Sequence, residues 1–595
     1  MAELPLSSDR CCSLLTALLP IAGWLPKYDL QKLRQDAVAG LTVGLMVIPQ
    51  GLAYAHVAEL PVQYGLYSAF MGPFVYCLLG TSKDASLGPT AIMSLLTASY
   101  NAAPGVTSKS AVYAVLMCFA CGIVQFLLGA MRLGVIVNFI SLPVVSGFTT
   151  SAAVTIAWSQ VKSLLGLRGI SNWLPLSVYE ICRDIGRTKV WDLTLGLSCM
   201  ALLLVLMKIQ RDISKASRID ATEDGDVHLG VRSSRAFLAI VCSGRNALIV
   251  ACASLVAFSL KSVDLGDKLT LTQKVDSRLP PFRPPAFQLM NGTQVVRDFW
   301  QIVGDIGIGF AVVPFIGLVE SIAIARVFAR SGNYRIDASQ ELIAIGLSNL
   351  AGSFVSSYPV TGSFTRTAIN YQSGVRTPAG GIFTGTLVLL ALALLGDLFQ
   401  FIPQAALAAV IIVAVLQMTE FRMLRRLWFV SKTDLLEWLV TFLVSLAAGI
   451  QYGILCGMGL SFAFLLYRYT RPGLETSTQS SGLAVVTVKS AVRFPAADGL
   501  ELSLVAAAQP SEGRVRHVCA DLSLATGIDF AVVEALKTVR ERLRLLSARL
   551  FVVARQPEVR QILEQAGLSV FESVQAAESG LSASAGASEV TPLIT

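Results

Sequence analysis

Six stretches of this chain carry no Asp, Glu, Lys or Arg over 15 to 29 residues: 37–55, 62–82, 85–107, 110–131, 133–161 and 193–207. Further apolar stretches lie near 240–260, 299–319, 342–364, 377–396, 398–419 and 435–467. A helix crossing a bilayer needs about 20 consecutive apolar residues, fewer if it is a half-helix buried in protein. Only 14% of the residues are charged and mean hydropathy is +0.64, whereas soluble domains carry about 25% charged residues. The pattern therefore specifies an all-α polytopic membrane domain and excludes a soluble enzyme. Splitting the longer runs at Pro, Gly and polar clusters gives about fourteen segments, with twelve or thirteen left open. A net charge of +8 is too dispersed to suggest nucleic-acid binding. No cleavable signal peptide is expected, because residues 1–34 hold prolines and charges around a short apolar stretch.

Loop charge tests the segment count, since basic residues on short loops favour the cytoplasmic side. With the amino terminus inside, the loops after even-numbered segments carry Lys83, Arg132, Lys208, Arg211, Lys215, Arg218, Arg330, Arg335, Arg422, Arg425, Arg426 and Lys432, while the short odd-numbered loops are nearly bare. The long 261–297 loop contains Asn291-Gly-Thr293, a glycosylation acceptor that requires an outside location. Both termini are expected in the cytoplasm.

After residue 471 the composition changes. Strands are expected at 484–489, 501–505, 517–523 and 549–555, and helices at 530–546 and 557–567, where Val532, Val533, Leu536, Val539 and Leu543 recur at helical spacing. The expected organisation is a cytoplasmic amino-terminal segment (1–35), a transmembrane domain (36–471), a small α/β domain (482–575) and a Ser/Ala/Gly-rich disordered tail (576–595).

Two places break the apolar pattern alike: SLGPTAIMSLL (86–96) and SSYPVTGSFTRTAIN (356–370). Each has a proline and a glycine just before a short hydroxyl-rich helix, which favours an interrupted helix. A half-helix starting at mid-membrane points free amide hydrogens and about half a positive charge into a cavity. Paired interruptions in two halves of a chain point to a transporter's binding site. The alternative is a pair of ordinary kinked helices.

The sequence VGLMVIPQGLAYAHVAELPVQYGLYSAFMGPFVYCLLGTSKDASLGPTAIMSLL (43–96) resembles the amino-terminal signature of the SulP sulfate-permease family of anion transporters. SIAIARVFARSGNYRIDASQELIAIGLSNLAGSFVSSYPVTGSFTRTAINYQSGVRT (321–377) resembles the family's second signature. The tail domain resembles a STAS domain through DLSLATGID (521–529), although Phe530 stands where regulatory STAS proteins have a phosphorylatable serine. The resemblance implies fourteen segments in two inverted repeats of seven, forming a gate and a core, usually as a homodimer. It implies sulfate transport by elevator-type movement of the core, with chloride, bicarbonate or oxalate as exchange anions, and no cofactor. An anion channel on the same scaffold, or a STAS-linked motor or interaction protein, are the alternatives.

By the same resemblance, Gln50, Tyr54 and Thr90 line the anion site from one side, and Ser363, Thr365 and Arg366 from the other. Hydroxyls can donate to a tetrahedral oxyanion, and arginine adds a permanent charge. Arg366 also stands out on physics alone, because an intramembrane ionisable residue is costly and marks a functional candidate; the alternative is an arginine that snorkels or pairs with a carboxylate. Glu320 is the other such group. Two half-helix ends and Arg366 together supply about +2, which balances sulfate, and an ionised Glu320 lowers this to about +1. Its protonation is therefore a candidate for coupling to divalent anion movement, against the alternative of a plain pairing with Arg366 or another cation. Asp298 is expected at the outer interface and Asp305 partly buried, without a task. The pocket shows no carboxylate cluster for a cation, so sodium is not expected to be required.

Cys118 and Cys121 form a CxxC inside an apolar run, unsuited to metal or redox use. His56, His228 and His517 are too scattered for a metal site. The hexamer containing Glu589, Leu593 and Ile594 resembles an acidic-dileucine sorting signal, which adds the lysosomal membrane to the plasma membrane as a destination. Cys11 and Cys12 are either palmitoylated or inert.

Overall fold

The computed structural model describes residues 19–101, 111–135, 141–167, 169–171, 174–220, 244–262, 269–272, 279–291, 294–417, 419–471, 473–479, 483–489, 492–508, 517–525 and 527–579. It divides into two compact units at Met458 and Gly459.

Among the described residues, fourteen helical segments fall into two runs of seven. The first run is α1 (Leu30–Val57), α2 (Gln63–Leu79), α3 (Ala91–Tyr100), α4 (Ala111–Ala130), α5 (Leu142–Leu164), α6 (Val190–Asp220) and α7 (Arg245–Ser262). The second is α8 (Gly309–Ser331), α9 (Ala338–Ser353), α10 (Phe364–Gln372), α11 (Gly380–Leu395), α12 (Gln404–Leu416), α13 (Lys432–Ala448) and α14 (Ile450–Thr470). Short helices Ile21–Trp24, Leu174–Asp184, Phe299–Ile306 and Phe421–Val430 lie outside these runs. Among the described residues, seven helices are long and apolar enough to cross a membrane, α1, α4, α5 and α8 among them.

The packing repeats between the runs. Helix α4 packs on α9 as α11 packs on α2, α1 on α11 as α8 on α4, and α5 on α13 as α12 on α6. The first helix of each run carries an internal proline, Pro49 in α1 and Pro314 in α8. One packing group joins α1–α4 to α8–α11, and a second is built around α5, α6, α12 and α13. Helices α13 and α14 form an antiparallel hairpin around Gly449 (φ 117°), and a Cβ at Gly453 or Gly457 would collide with Ser445 or Thr441.

The third segment of each run is short. Helix α3 has 10 residues and α10 has 9, so each rises only about 14–15 Å, half of a hydrocarbon core about 30 Å thick. Each follows a two-residue strand, β1 (Leu87–Gly88) before α3 and β4 (Thr361–Gly362) before α10. The strands pair antiparallel, Leu87 with Gly362 and Gly88 with Thr361. Non-helical backbone at membrane depth must satisfy its polar groups within the protein, and these two interruptions satisfy one another. Between the runs, a hairpin of β2 (Leu289–Asn291) and β3 (Gln294–Arg297) leads to Asp298, which caps helix Phe299–Ile306 with a capping box. Asn291 ends β2; Gly292 and Thr293 lie outside the described residues. The helix after Asp298 breaks at Gly307 (φ 50°), so Asp298 and Asp305 precede α8 rather than sharing a helix with Glu320.

The second unit holds a five-stranded sheet in the order β5 (Leu474–Thr478), β6 (Ala484–Val488), β7 (Val518–Asp521), β8 (Leu550–Val553) and β9 (Val570–Phe571). Strands β6 to β9 are parallel, and β5 is antiparallel to β6. Helices α15 (Phe494–Ala508), α16 (Phe530–Leu545) and α17 (Pro557–Gln565) contribute to its apolar core. The strand expected at 501–505 is helical. Ala496, Ala497, Leu500, Leu504 and Ala508 are buried along α15 at helical spacing, and this longer period overrides five residues of apparent alternation. The sheet begins at Leu474, ahead of the expected boundary at 482. At the other end, residues 574–579 are helical and Ala577 is buried against Phe551 and Val553, so the tail expected to be disordered from 576 is ordered through 579. Glu589, Leu593 and Ile594, like Cys11 and Cys12, lie outside the described residues.

Candidate functional site

The two half-helices start beside each other because the strands lock them. The Ser363 amide donates to the Ser86 carbonyl at 3.1 Å, and the Thr367 hydroxyl accepts from the Ser86 amide at 3.2 Å. Thr90 caps α3, its Oγ1 accepting from the Met93 amide at 3.3 Å, a contact worth about 1 kcal/mol. Ser363 caps α10 without a side-chain bond. The opening amides of a helix have no intrahelical partner, so two such sets, each with about +0.5 charge, are held close together.

Arg366 is fully buried in the first turn of α10. Its Nη1 donates to the Pro89 carbonyl at 2.7 Å, whereas Nε and Nη2 are buried without a partner. Among the described residues it makes no ion pair. Gly88 has φ +152°, and a Cβ there would stand 3.2 Å from Arg366 Nη2, so the glycine supplies both the backbone angle and the room. A guanidinium buried without an ion-pair partner costs several kcal/mol, which an incoming anion would offset.

The remaining proposed residues converge here to different degrees. Gln50 on α1 is buried and neither its amide nitrogen nor its oxygen has a partner. Tyr54, one turn on, is buried and interacts electrostatically with both Arg366 and Glu320. Glu320 on α8 interacts electrostatically with Arg366, lies near Thr90, and leaves Oε2 buried and unpartnered. Ser363 is buried at the start of α10; Thr365 is half-buried and takes no part in the cluster's hydrogen bonds. Buried polar groups are ordinarily paired, so three residues on three helices with unsatisfied atoms around the half-helix starts mark a place for a polar ligand. Gly51-Leu52 and Gly317-Leu318 stand at the same spacing before Tyr54 and Glu320, which puts these two at equivalent positions in the two runs.

Several supporting residues escaped the sequence reading. Tyr358 is fully buried, its hydroxyl 3.0 Å from Ser94 Oγ and its amide donating to Ser68 Oγ at 2.9 Å. Asn349 grips β4 from α9, accepting from the Val360 amide at 2.8 Å and donating to the Val360 carbonyl at 3.0 Å. Gln125 accepts from Asn349 at 2.9 Å and donates to the Pro314 carbonyl at 3.0 Å. Ser321 Oγ accepts from the Gly362 amide at 2.8 Å. Tyr358, Asn349 and Ser321 all lie within the second signature, but nothing local distinguishes Asn349 there, or Gln125 on α4, from other polar residues on apolar helices.

A cavity of about 430 Å³ opens between the carboxyl-terminal ends of α1 and α3 and those of α5 and α13. It is lined by His56, Leu95, Leu96, Gln160, Lys162 and Ser445 among others, so it joins the two packing groups on one side of the half-helices. Asp305 accepts from the Tyr113 hydroxyl at 2.7 Å and pairs with Arg297 at 3.4 Å. Cys118 and Cys121 are buried, and among the described residues no group of three His, Cys, Asp or Glu gathers as a metal site.

The profile of the Sulfate permease family matches residues 33–441, and that of the STAS domain residues 476–578. The chain is 44% identical over 550 residues to the sodium-independent sulfate anion transporter of Bos taurus, covering 92% of this chain and 88% of that one. It is 28% identical to high affinity sulfate transporter 2 of Stylosanthes hamata over 586 residues, covering 93% and 83%. The solved structure of SLC26A9 superposes with a TM-score of 0.79 at 21% identity, covering 98% of this chain and 95% of that one. With matched profiles over both units, a long relative at 44% identity and a shared architecture, this chain belongs to the sulfate permease family and carries a carboxyl-terminal STAS domain.

Proposed function

We propose that the protein moves sulfate across a membrane without sodium, in exchange for a second anion such as chloride, bicarbonate or oxalate. One observation carries this reading: Arg366 presents two unpartnered nitrogens, Nε and Nη2, beside the paired starts of α3 and α10. Two half-helix ends and a guanidinium give about +2, the charge that balances a divalent oxyanion. The Thr90 and Ser363 hydroxyls and the Gln50 amide are suited to its remaining oxygens.

The packing group of α1–α4 and α8–α11 carries every proposed ligand of the anion. Movement of that group against the other, as an elevator, would carry the site between the two membrane faces, with the 430 Å³ cavity as one approach. Glu320 sets the anion's charge class in this scheme. Ionised, it favours a monovalent anion; protonated, it leaves the charge that suits sulfate. The groups facing it are Thr90, Tyr54 and Arg366. A homodimer with both termini in the cytoplasm, resident in the plasma and lysosomal membranes, completes the reading.

The test is labelled-sulfate uptake into proteoliposomes with defined internal anions. Uptake should saturate, rise when sulfate or oxalate is loaded inside, and persist when potassium replaces sodium. Arg366→Ala should abolish it while the protein still elutes as a single folded species. Large single-channel currents, or loss of uptake on removing sodium, would contradict the proposal.

A further inference from the structure

A second cavity, rimmed by charged side chains, lies away from the half-helix starts. It encloses about 500 Å³ where the 80–86, 332–337 and 373–379 connections meet the helix Ile21–Trp24. All these segments sit at the membrane face where α1 begins, which the loop charges place in the cytoplasm. Three cations line it, Lys83, Arg335 and Arg376, against one carboxylate, Asp337.

The lining cations outnumber the lining carboxylate three to one. None of the three cations makes an ion pair among the described residues. Lys83 lies over the Tyr334 ring with its nitrogen 5.6 Å from the centroid, and Arg376 Nε donates to Gln35 Oε1 at 2.9 Å. The Asp337 carboxylate is committed to capping α9, accepting from the Ser339 amide at 2.8 Å and the Gln340 amide at 3.3 Å. Nearby Asp84 is occupied by the Tyr334 hydroxyl at 2.8 Å, and Asp36 by the Arg376 and Thr377 amides at 2.7 and 3.1 Å. Trp24 lines the same cavity and its indole N–H is buried without a partner. An unspent donor and three cations without an ion-pair partner in one hollow suit a ligand with several anionic oxygens.

The surroundings favour a lipid as the source. Leu19, Leu25 and Leu30 are exposed on and beside the short helix next to the cavity, as in segments that lie in a membrane interface. Basic pockets at the cytoplasmic ends of transmembrane helices suit anionic headgroups, whose acyl chains remain in the leaflet. We propose that this cavity, formed by Lys83, Arg335, Arg376 and Trp24, binds the phosphorylated headgroup of an acidic phospholipid of the cytoplasmic leaflet. A lipid held there bridges the amino-terminal helix and the connections that lead into both half-helices.

The test uses the full chain in phosphatidylcholine nanodiscs, titrated with short-chain phosphatidylinositol bisphosphate, the corresponding soluble inositol trisphosphate, and inorganic phosphate. Lys83→Gln with Arg335→Gln should weaken lipid binding about 30-fold, whereas Arg422→Gln with Arg425→Gln, on the exposed helix Phe421–Val430, should change it less than about 2-fold. Trp24→Phe removes one N–H and no charge, and should weaken binding about 3-fold. The soluble headgroup should bind at least about 10-fold more weakly than the lipid, because it lacks buried acyl chains. Equal losses from both arginine-containing pairs would reduce the effect to general surface charge. Equal binding of lipid and soluble phosphates would show a free phosphate site instead, and no binding by the wild type would end the proposal.

Discussion

Arg366 Nη1 donates to the carbonyl of Pro89 at 2.7 Å, so the charge on the second half-helix is anchored to the residue just before the cap of the first. That bond uses one of the arginine's five donors and fixes the plane of the guanidinium. An ammonium cannot reproduce both the anchor and two further fixed donors. Arg366→Lys should therefore fold but transport sulfate about 100-fold more slowly, the equivalent of about 3 kcal/mol of lost charge-assisted contact. Uptake close to wild type would show that charge alone suffices.

Gly88 faces the same guanidinium. Its φ of +152° is unfavourable for other residues, and a Cβ would stand 3.2 Å from Nη2. Gly88→Ala should destabilise the strand pair by about 1–2 kcal/mol and displace the arginine. The expected readout is a raised apparent Km for sulfate, measured by uptake, with little loss of expressed protein.

Glu320→Gln fixes the site in its uncharged form. Sulfate uptake by the wild type should increase as the pH falls, because a protonated carboxyl leaves the site with its full positive charge. The variant should show a flat profile over the same range, with chloride handled less well. An unchanged pH dependence would sever Glu320 from the coupling and leave it a purely structural neighbour of Arg366.

Asn349 holds both the amide and the carbonyl of Val360 and is buried. Asn349→Leu strands these groups at membrane depth, which should destabilise the protein by about 2–4 kcal/mol. A lowered thermal unfolding temperature in detergent checks this, and sulfate in the medium should restore part of the loss.

In the STAS domain, the Arg549 amide donates to His517 Nδ1 at 3.0 Å, joining β8 to the residue before β7. Burial, and then the Arg549 charge, hold His517 below its ordinary pKa. A depressed folded-state value favours the neutral ring, so the contribution is present above the unfolded pKa and fades as pH falls through the folded one. The protection factor of the Arg549 amide in the full chain, its exchange rate relative to the intrinsic rate at each pH, should fall between neutral and acidic pH, and His517→Asn should abolish that dependence.

The interrupted helices were legible because their signal is local: Gly88-Pro89-Thr90 and Pro359 to Ser363 place backbone breakers beside capping hydroxyls within a few residues. Arg366 and Glu320 were legible because charge at membrane depth is rare. Asn349 and Gln125 were not, since their importance comes from which carbonyls they meet across α4, α8 and α9, a matter of tertiary packing. The misread strand at 501–505 shows a related limit. Glu-Leu-Ser-Leu-Val alternates over five residues, but the burial of Ala496, Leu500, Leu504 and Ala508 spans thirteen residues and fits only a helix. The Trp24 cavity had no sequence signal, because its cations come from three separate connections.

The most direct measurement is a density map of the purified protein soaked in molybdate or tungstate, electron-dense counterparts of sulfate. A peak is expected within hydrogen-bonding distance of Arg366 Nε and Nη2, flanked by Thr90 and Ser363, and lost on competition with sulfate. A transport-active preparation that binds the anion elsewhere, with the half-helix starts unoccupied, would contradict it.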